Sequence, residues 1–321
     1  MILLLLAFVL GMCIGFIVQR SKICFSIAVT ELFLMKKFSS LKPFLVFIVT
    51  CMIGFHILNF LGVISLNLLS KPIGVYGIYA LIGGMLFGFG MIIAGGCSIG
   101  VFYRVGEGKL KSLSALIGLF LGVIIYAFLY PYLKPILIQD ISIILLPKFF
   151  YVSEWILIFV ITLITIYWIT KSGEKFEKTI IAGFLIGVLN IISTLTLGNS
   201  YYIGNVQLFL DPIAKIFNPE FETTMSLRDM ITFMMMLPLG VIVGSFVSSL
   251  RSKEFKITKQ RLKEGFIGGL FLGLGASIGL NCSYGHFVGI STFSITGILG
   301  FIGILLGGFL GIKIVERRII Q

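Results

Sequence analysis

Three of the five cysteines stand where a thiol could meet a ligand, and two of them share one setting. Cys97 opens the tetrad Cys-Ser-Ile-Gly100 and Cys282 opens Cys-Ser-Tyr-Gly285, each behind a glycine-rich run. A thiol is a weak hydrogen-bond donor and a soft, polarisable contact. It suits a ligand with a terminal sulfur or selenium better than a hard oxyanion. Cys24, which follows Arg20-Ser-Lys22-Ile, is the third candidate, whereas Cys13 and Cys51 lie inside plain apolar runs and read as small packing residues. Other uses of sulfur fit less well. A metal site wants clustered Cys, His or carboxylates, and the chain has 2 histidines, His56 and His286. No C-x-x-C occurs, no close pair of cysteines is visible and no base sits beside Cys97, which argues against thiol-redox or sulfurtransferase chemistry. There is no G-x-x-x-x-G-K-[ST], and Gly88-Phe-Gly90 reads as a helix-packing feature. No cofactor is implied.

The elements that must position these residues are membrane helices. Of 321 residues, 58% are apolar and 12% charged, with mean hydropathy +1.11; soluble domains average ~25% charged. Apolar runs of spanning length fall at 2–18, 43–66, 74–95, 112–130, 154–170, 179–197, 230–249, 265–281 and 292–311. The sequence therefore predicts an all-α polytopic membrane protein of about nine spans, one membrane domain over 1–321. Alternating the loops places 20 of the 25 basic residues on one side, which the positive-inside rule makes cytosolic. The amino terminus is then outside and the carboxyl terminus inside. The net charge of +12 is accounted for by this asymmetry and by anionic lipid, without nucleic acid.

Within that frame the two tetrads belong to a repeat. Residues 83–100 and 268–285 both read Gly-Gly-x3-Gly-x-Gly-x6-Cys-Ser-x-Gly at an offset of 185. On the charge-derived topology one copy crosses inward and the other outward, so 1–150 and 151–321 are expected to be inverted repeats with a site near the midplane. Inverted repeats point to transport rather than to catalysis. Glycines around each Cys-Ser interrupt the helix, and Gly96 and Asn281, directly before the thiols, belong to these breaks. A short helix starting at Ser98 or Ser283 would carry a capping hydroxyl and free N–H groups that favour an anion. Ile23–Leu34 is too short to span and reads as a re-entrant half-helix, with its counterpart expected around Thr194–Asn205. Lys22, Arg104 and His286 are candidates to assist an anion at the mouths; lipid headgroups explain Lys22 and Arg104 equally well. Carboxylates are nearly absent from the spans, Glu31 excepted, which argues against proton or sodium coupling.

Three stretches, Arg20-Ser-Lys-Ile-Cys24-Phe25, Gly95-Gly-Cys97-Ser98…Tyr103-Arg104-Val-Gly-Glu107-Gly108 and Asn281-Cys282-Ser283-Tyr-Gly285-His286, resemble the YeeE/YedE family of bacterial inner-membrane proteins. The resemblance covers nearly the whole chain. It implies an hourglass-shaped inverted-repeat fold and uptake of thiosulfate, passed along Cys24, Cys97 and Cys282 by S–H···S and S–H···O contacts. It also implies a small cytosolic sulfur-carrier partner of the TusA type. Asn281 departs from the glycine common at that position. Other soft substrates (sulfite, hydrosulfide, a selenium compound) and a membrane sulfurtransferase are the alternative readings.

Overall fold

The computed structural model describes residues 2–66, 77–137, 153–171, 178–197, 216 and 227–320. Among these, structure is helical apart from turns and one isolated bridge between Lys109 and Thr258. Helix α1 (Ile2–Ser21) stops where Lys22 adopts a left-handed backbone at φ 56°, and the chain restarts as the short α2 (Phe25–Met35). A 3-10 turn (Ser39–Leu41) leads into α3 (Lys42–Phe60), with Pro43 in the first turn, where no N–H is needed. Then follow α4 (Ile78–Ala94), the short α5 (Ser98–Gly106) and α6 (Leu110–Leu137). The second half holds α7 (Glu154–Lys171), α8 (Lys178–Leu197), α9 (Leu227–Arg251), α10 (Leu262–Ile278), the short α11 (Ser283–Ser291) and α12 (Ile295–Ile320).

The chain is an all-α polytopic membrane protein. Among the described residues seven segments are long and apolar enough to cross a bilayer, with α1–α2 and α4–α5 each forming one continuous segment. The runs expected at 230–249 and 265–281 are α9, whose described apolar part is Met236–Arg251, and α10, of 17 residues. The counterpart expected for α2 lies mostly outside the described residues, beyond Leu197.

The 185-residue offset reappears in the backbone. Helices α3 and α9 begin at residues 42 and 227, α5 and α11 at 98 and 283, and α6 and α12 at 110 and 295. Left-handed residues recur at the same spacing: Gly95 with Leu280, and Gly108 with Phe293. Packing partners exchange in the same way, for α4 lies on α12 as α10 lies on α6, and α5 on α9 as α11 on α3. At the centre α4 and α10 cross antiparallel, Gly83 meeting Gly279 and Gly90 meeting Gly268. A Cβ on Gly90 would come within 2.6 Å of the Gly268 carbonyl oxygen, so this approach requires glycine.

Candidate functional site

Three helix breaks deliver three thiols to one region. Each sulfur belongs to the N-cap residue of a short helix, Cys24 for α2, Cys97 for α5 and Cys282 for α11, and all three are buried. Cys24 and Cys97 lie side by side against Gly100, and the Ser26 hydroxyl lies 3.1 Å from the Cys24 sulfur. Gly100 faces both: a Cβ there would sit 2.9 Å from Cys24 Sγ and 3.5 Å from Cys97 Sγ. Ser98, the next residue after Cys97, lies near Cys282. The three thiols thus gather in one region, Cys24 and Cys97 side by side and Cys282 near Ser98.

The surroundings combine soft, apolar and positive character. None of the three cysteines makes a full capping bond to its helix. The N–H of Gly100 still lies close to Cys97, and those of Tyr284 and Gly285 close to Cys282. These free N–H groups and the helix dipoles favour negative charge. Arg104 adds a fixed cation, donating from Nη1 to the Gly95 carbonyl and from Nε to the Tyr103 hydroxyl at 3.2 Å, within electrostatic reach of Cys24 and Cys97. Tyr284, buried and close enough to act on all three thiols, is boxed by Phe47 at 5.2 Å and Phe287 at 5.8 Å between ring centroids. Beside Cys24 lies a cavity of about 170 Å³, lined by Lys22, Ser39, Ser40 and Thr179 among others. Among the described residues no cluster of three ligating side chains could hold a metal ion.

The site corrects several expectations. Ser98 and Ser283 do not cap their helices; the preceding cysteine holds the N-cap position. The close cysteine pair that the sequence did not reveal exists between Cys24 and Cys97, residues brought together only by the fold. His286 is not at a mouth: it is buried against α12, where a Cβ on Gly300 would strike its ring. Neither of its ring nitrogens has a hydrogen-bond partner, nor does the buried Ser283 hydroxyl, at a cost of about 1–3 kcal/mol for each unpaired group. Arg104 packs over the Gly95 turn rather than reaching for lipid. Lys22 is paired to Glu107 at 2.5 Å and Glu254 at 2.7 Å. Gly96 closes the end of α4 through a backbone bond to Met91, and Asn281 is buried directly before Cys282. Tyr284, Gly100 and the carboxylates around Lys22 were not singled out by sequence. Glu107 and Gly100 do stand inside quoted motifs, where their spacing alone says nothing of their role.

Burial by itself pushes the Glu107 carboxyl upward, but hydrogen bonds and charge from Lys109 and Lys22 outweigh it and hold the group below the usual carboxylate range. The hydrogen bond from Lys22 does the same for the exposed Glu254.

Broken helices presenting buried thiols and N–H groups inside a polytopic helical fold define a membrane transport protein. Residues 20–310 match the sulphur transport family, and the chain belongs to that family. It is 28% identical to the thiosulfate transporter TsuA of Spirochaeta thermophila over 340 aligned positions, 96% of this chain and 98% of the relative. It is 25% identical to the thiosulfate transporter TsuA of Escherichia coli, over 86% of this chain and 84% of the relative. The probable transporter YedE of Escherichia coli matches at 30% over 42% of this chain and 32% of the relative.

Proposed function

We propose that this protein carries thiosulfate inward across the bacterial inner membrane, the terminal sulfur passing from Cys282 to Cys97 to Cys24. The observation that carries this reading is the convergence of three buried N-cap thiols, Cys24 and Cys97 both against Gly100 and Cys282 near Ser98. Thiosulfate presents a soft sulfur to S–H groups and hard oxygens to backbone N–H groups, and the site holds both donor types side by side. Arg104 and the two half-helix dipoles offset the charge of the dianion, whose burial without such partners is prohibitive. Ser283 and His286 bring unpaired polar atoms to the Cys282 half of the path.

The orientation follows the basic loops, with the amino terminus outside and the carboxyl terminus cytosolic. The halves 1–150 and 151–321 then act as inverted repeats, and Cys24 with its cavity faces the cytosol. A small sulfur-carrier protein of the TusA type, as the family resemblance implies, is the acceptor on that side. Uptake of labelled thiosulfate into vesicles tests the reading. Cys97→Ala and Cys282→Ala should each lower uptake at least tenfold, Cys13→Ala should leave it unchanged, and undiminished uptake in the first two removes the thiol path. Excess sulfite or hydrosulfide should compete poorly; competition as strong as that of thiosulfate itself would redirect the substrate assignment.

A further inference from the structure

The ammonium of Lys22 is shared between two carboxylates of different character. Glu107 is buried at 3% exposure and has a second cation, Lys109, at 2.6 Å. Glu254 is 46% exposed and sits on the loop after α9. It is held by Lys22 at 2.7 Å and by neutral donors, Gln19 at 2.8 Å and Ser252 at 3.1 Å. Its loop is strapped to the α5–α6 turn by backbone bonds from Lys256 to Glu107 and from Thr258 to Gly108. Glu254 therefore remains next to Lys22 even when their ion pair opens. The four side chains Lys22, Lys109, Glu107 and Glu254 sum to zero charge, and loss of Glu254 alone leaves a net cation. Lys22 also lines the cavity beside Cys24, so an anion leaving that thiol meets the same ammonium.

We infer that Glu254 is a release residue, a tethered carboxylate that competes with the transported anion for Lys22 and so returns the anion to solution. The inference rests on the reading that an anion leaves past Cys24, and it adds how the anion escapes a cation that would otherwise retain it. The exchange swaps one carboxylate contact for another anion contact at a half-exposed ammonium, so no charge is left buried and unpaired. Glu107, with its second cation, stays in place as the fixed counter-ion.

Full-length protein in nanodiscs and in vesicles provides the test, with thiosulfate as the probe. Glu254→Gln should bind thiosulfate about 3–10-fold more tightly at low ionic strength and lower kcat by a similar factor, with KM falling alongside. Glu254→Asp should restore wild-type behaviour, and about 0.5 M salt should shrink the difference because the pair is exposed. In a Lys22→Gln background, Glu254→Gln should change affinity less than twofold. Weaker or unchanged binding in Glu254→Gln, or an equal effect in the Lys22→Gln background, overturns the release role. A merely structural contact would lower the melting temperature and leave affinity unchanged or weaker. Failure of the wild type to take up thiosulfate overturns the functional reading, whereas intact wild-type uptake without coupling between Lys22 and Glu254 overturns the release role alone.

Discussion

Gly100 is the residue on which two thiols converge, and its missing side chain is what lets them. A methyl group there would enter the van der Waals shell of Cys24 Sγ at 2.9 Å, too close for a real Cβ contact. Gly100→Ala should therefore leave the helices intact, since alanine favours a helix over glycine by about 1 kcal/mol, while separating Cys24 from Cys97. We expect uptake to fall at least tenfold with an unchanged or higher melting temperature; normal uptake would show that the thiol contact is not used. Arg104 gives a second prediction at this scale. Arg104→Gln keeps a hydrogen-bond donor for the Gly95 carbonyl but deletes the cation, and Arg104→Lys keeps the charge but not the forked geometry. If the charge matters to the anion, the lysine variant should retain more uptake than the glutamine variant, measured at equal expression. Cys97 and Cys282 were legible in sequence because cysteine beside serine at a glycine break is rare enough to stand out, and Cys24 was legible by its place after Arg20-Ser-Lys22 in a stretch too short to span. The meeting of Cys24 and Cys97 at Gly100, the nearness of Ser98 to Cys282 and the enclosure of Tyr284 were not, because each joins segments far apart in the chain.

The half-helices are held by their ends rather than by length. Helices α5 and α11 have only 9 residues each, too few to be stable in isolation, so the turns on either side must fix them. Gly95 can take the left-handed turn before Cys97 without strain, but its counterpart before Cys282 is Leu280, at φ 58°. A bulky residue there costs about 1–2 kcal/mol, and Leu280 tolerates it while buried beside Tyr79 and Ala80. The sequence offered glycine as the signal of a break, and so it marked the first turn better than the second. At the far end of α5 the turn is pinned by Glu107, which collects Lys22, Lys109 and Gln19 from α1 and its own loop. Its carboxyl lies below the ordinary value of 4.5, so the stabilisation it supplies is complete above that pH and is lost as pH falls through the folded-state value. Melting curves between pH 7 and pH 3 should show this loss. Glu107→Gln should cost about 1–2 kcal/mol at pH 7 and flatten the acid limb, since hydrogen bonds to charged groups are worth somewhat more than neutral ones. A variant that melts like the wild type at pH 7 would remove Glu107 from the anchoring of this turn.

For the whole molecule, the exchange of packing partners matters more than any single contact. Two copies of one helix–break–helix unit, crossing antiparallel through glycines of α4 and α10, carry the anchor of one half-helix to each side of the centre. Each of the nine apolar runs falls on one described helix, and the charge asymmetry belongs to the loops between them. That asymmetry makes the final prediction. In a background with the exposed Cys13 replaced by alanine, Lys259→Cys on the loop before α10 and Gly62→Cys after α3 should react with an impermeant maleimide from opposite faces. The first should label only when the cytosolic side is exposed, the second in intact cells. The same assay on Cys97 and Cys282, with thiosulfate present and absent, should show protection of both by the ligand. Labelling of positions 62 and 259 from one face would mean that the two halves are not inverted with respect to the bilayer. The serial passage from Cys282 to Cys24 would then have no two sides to connect.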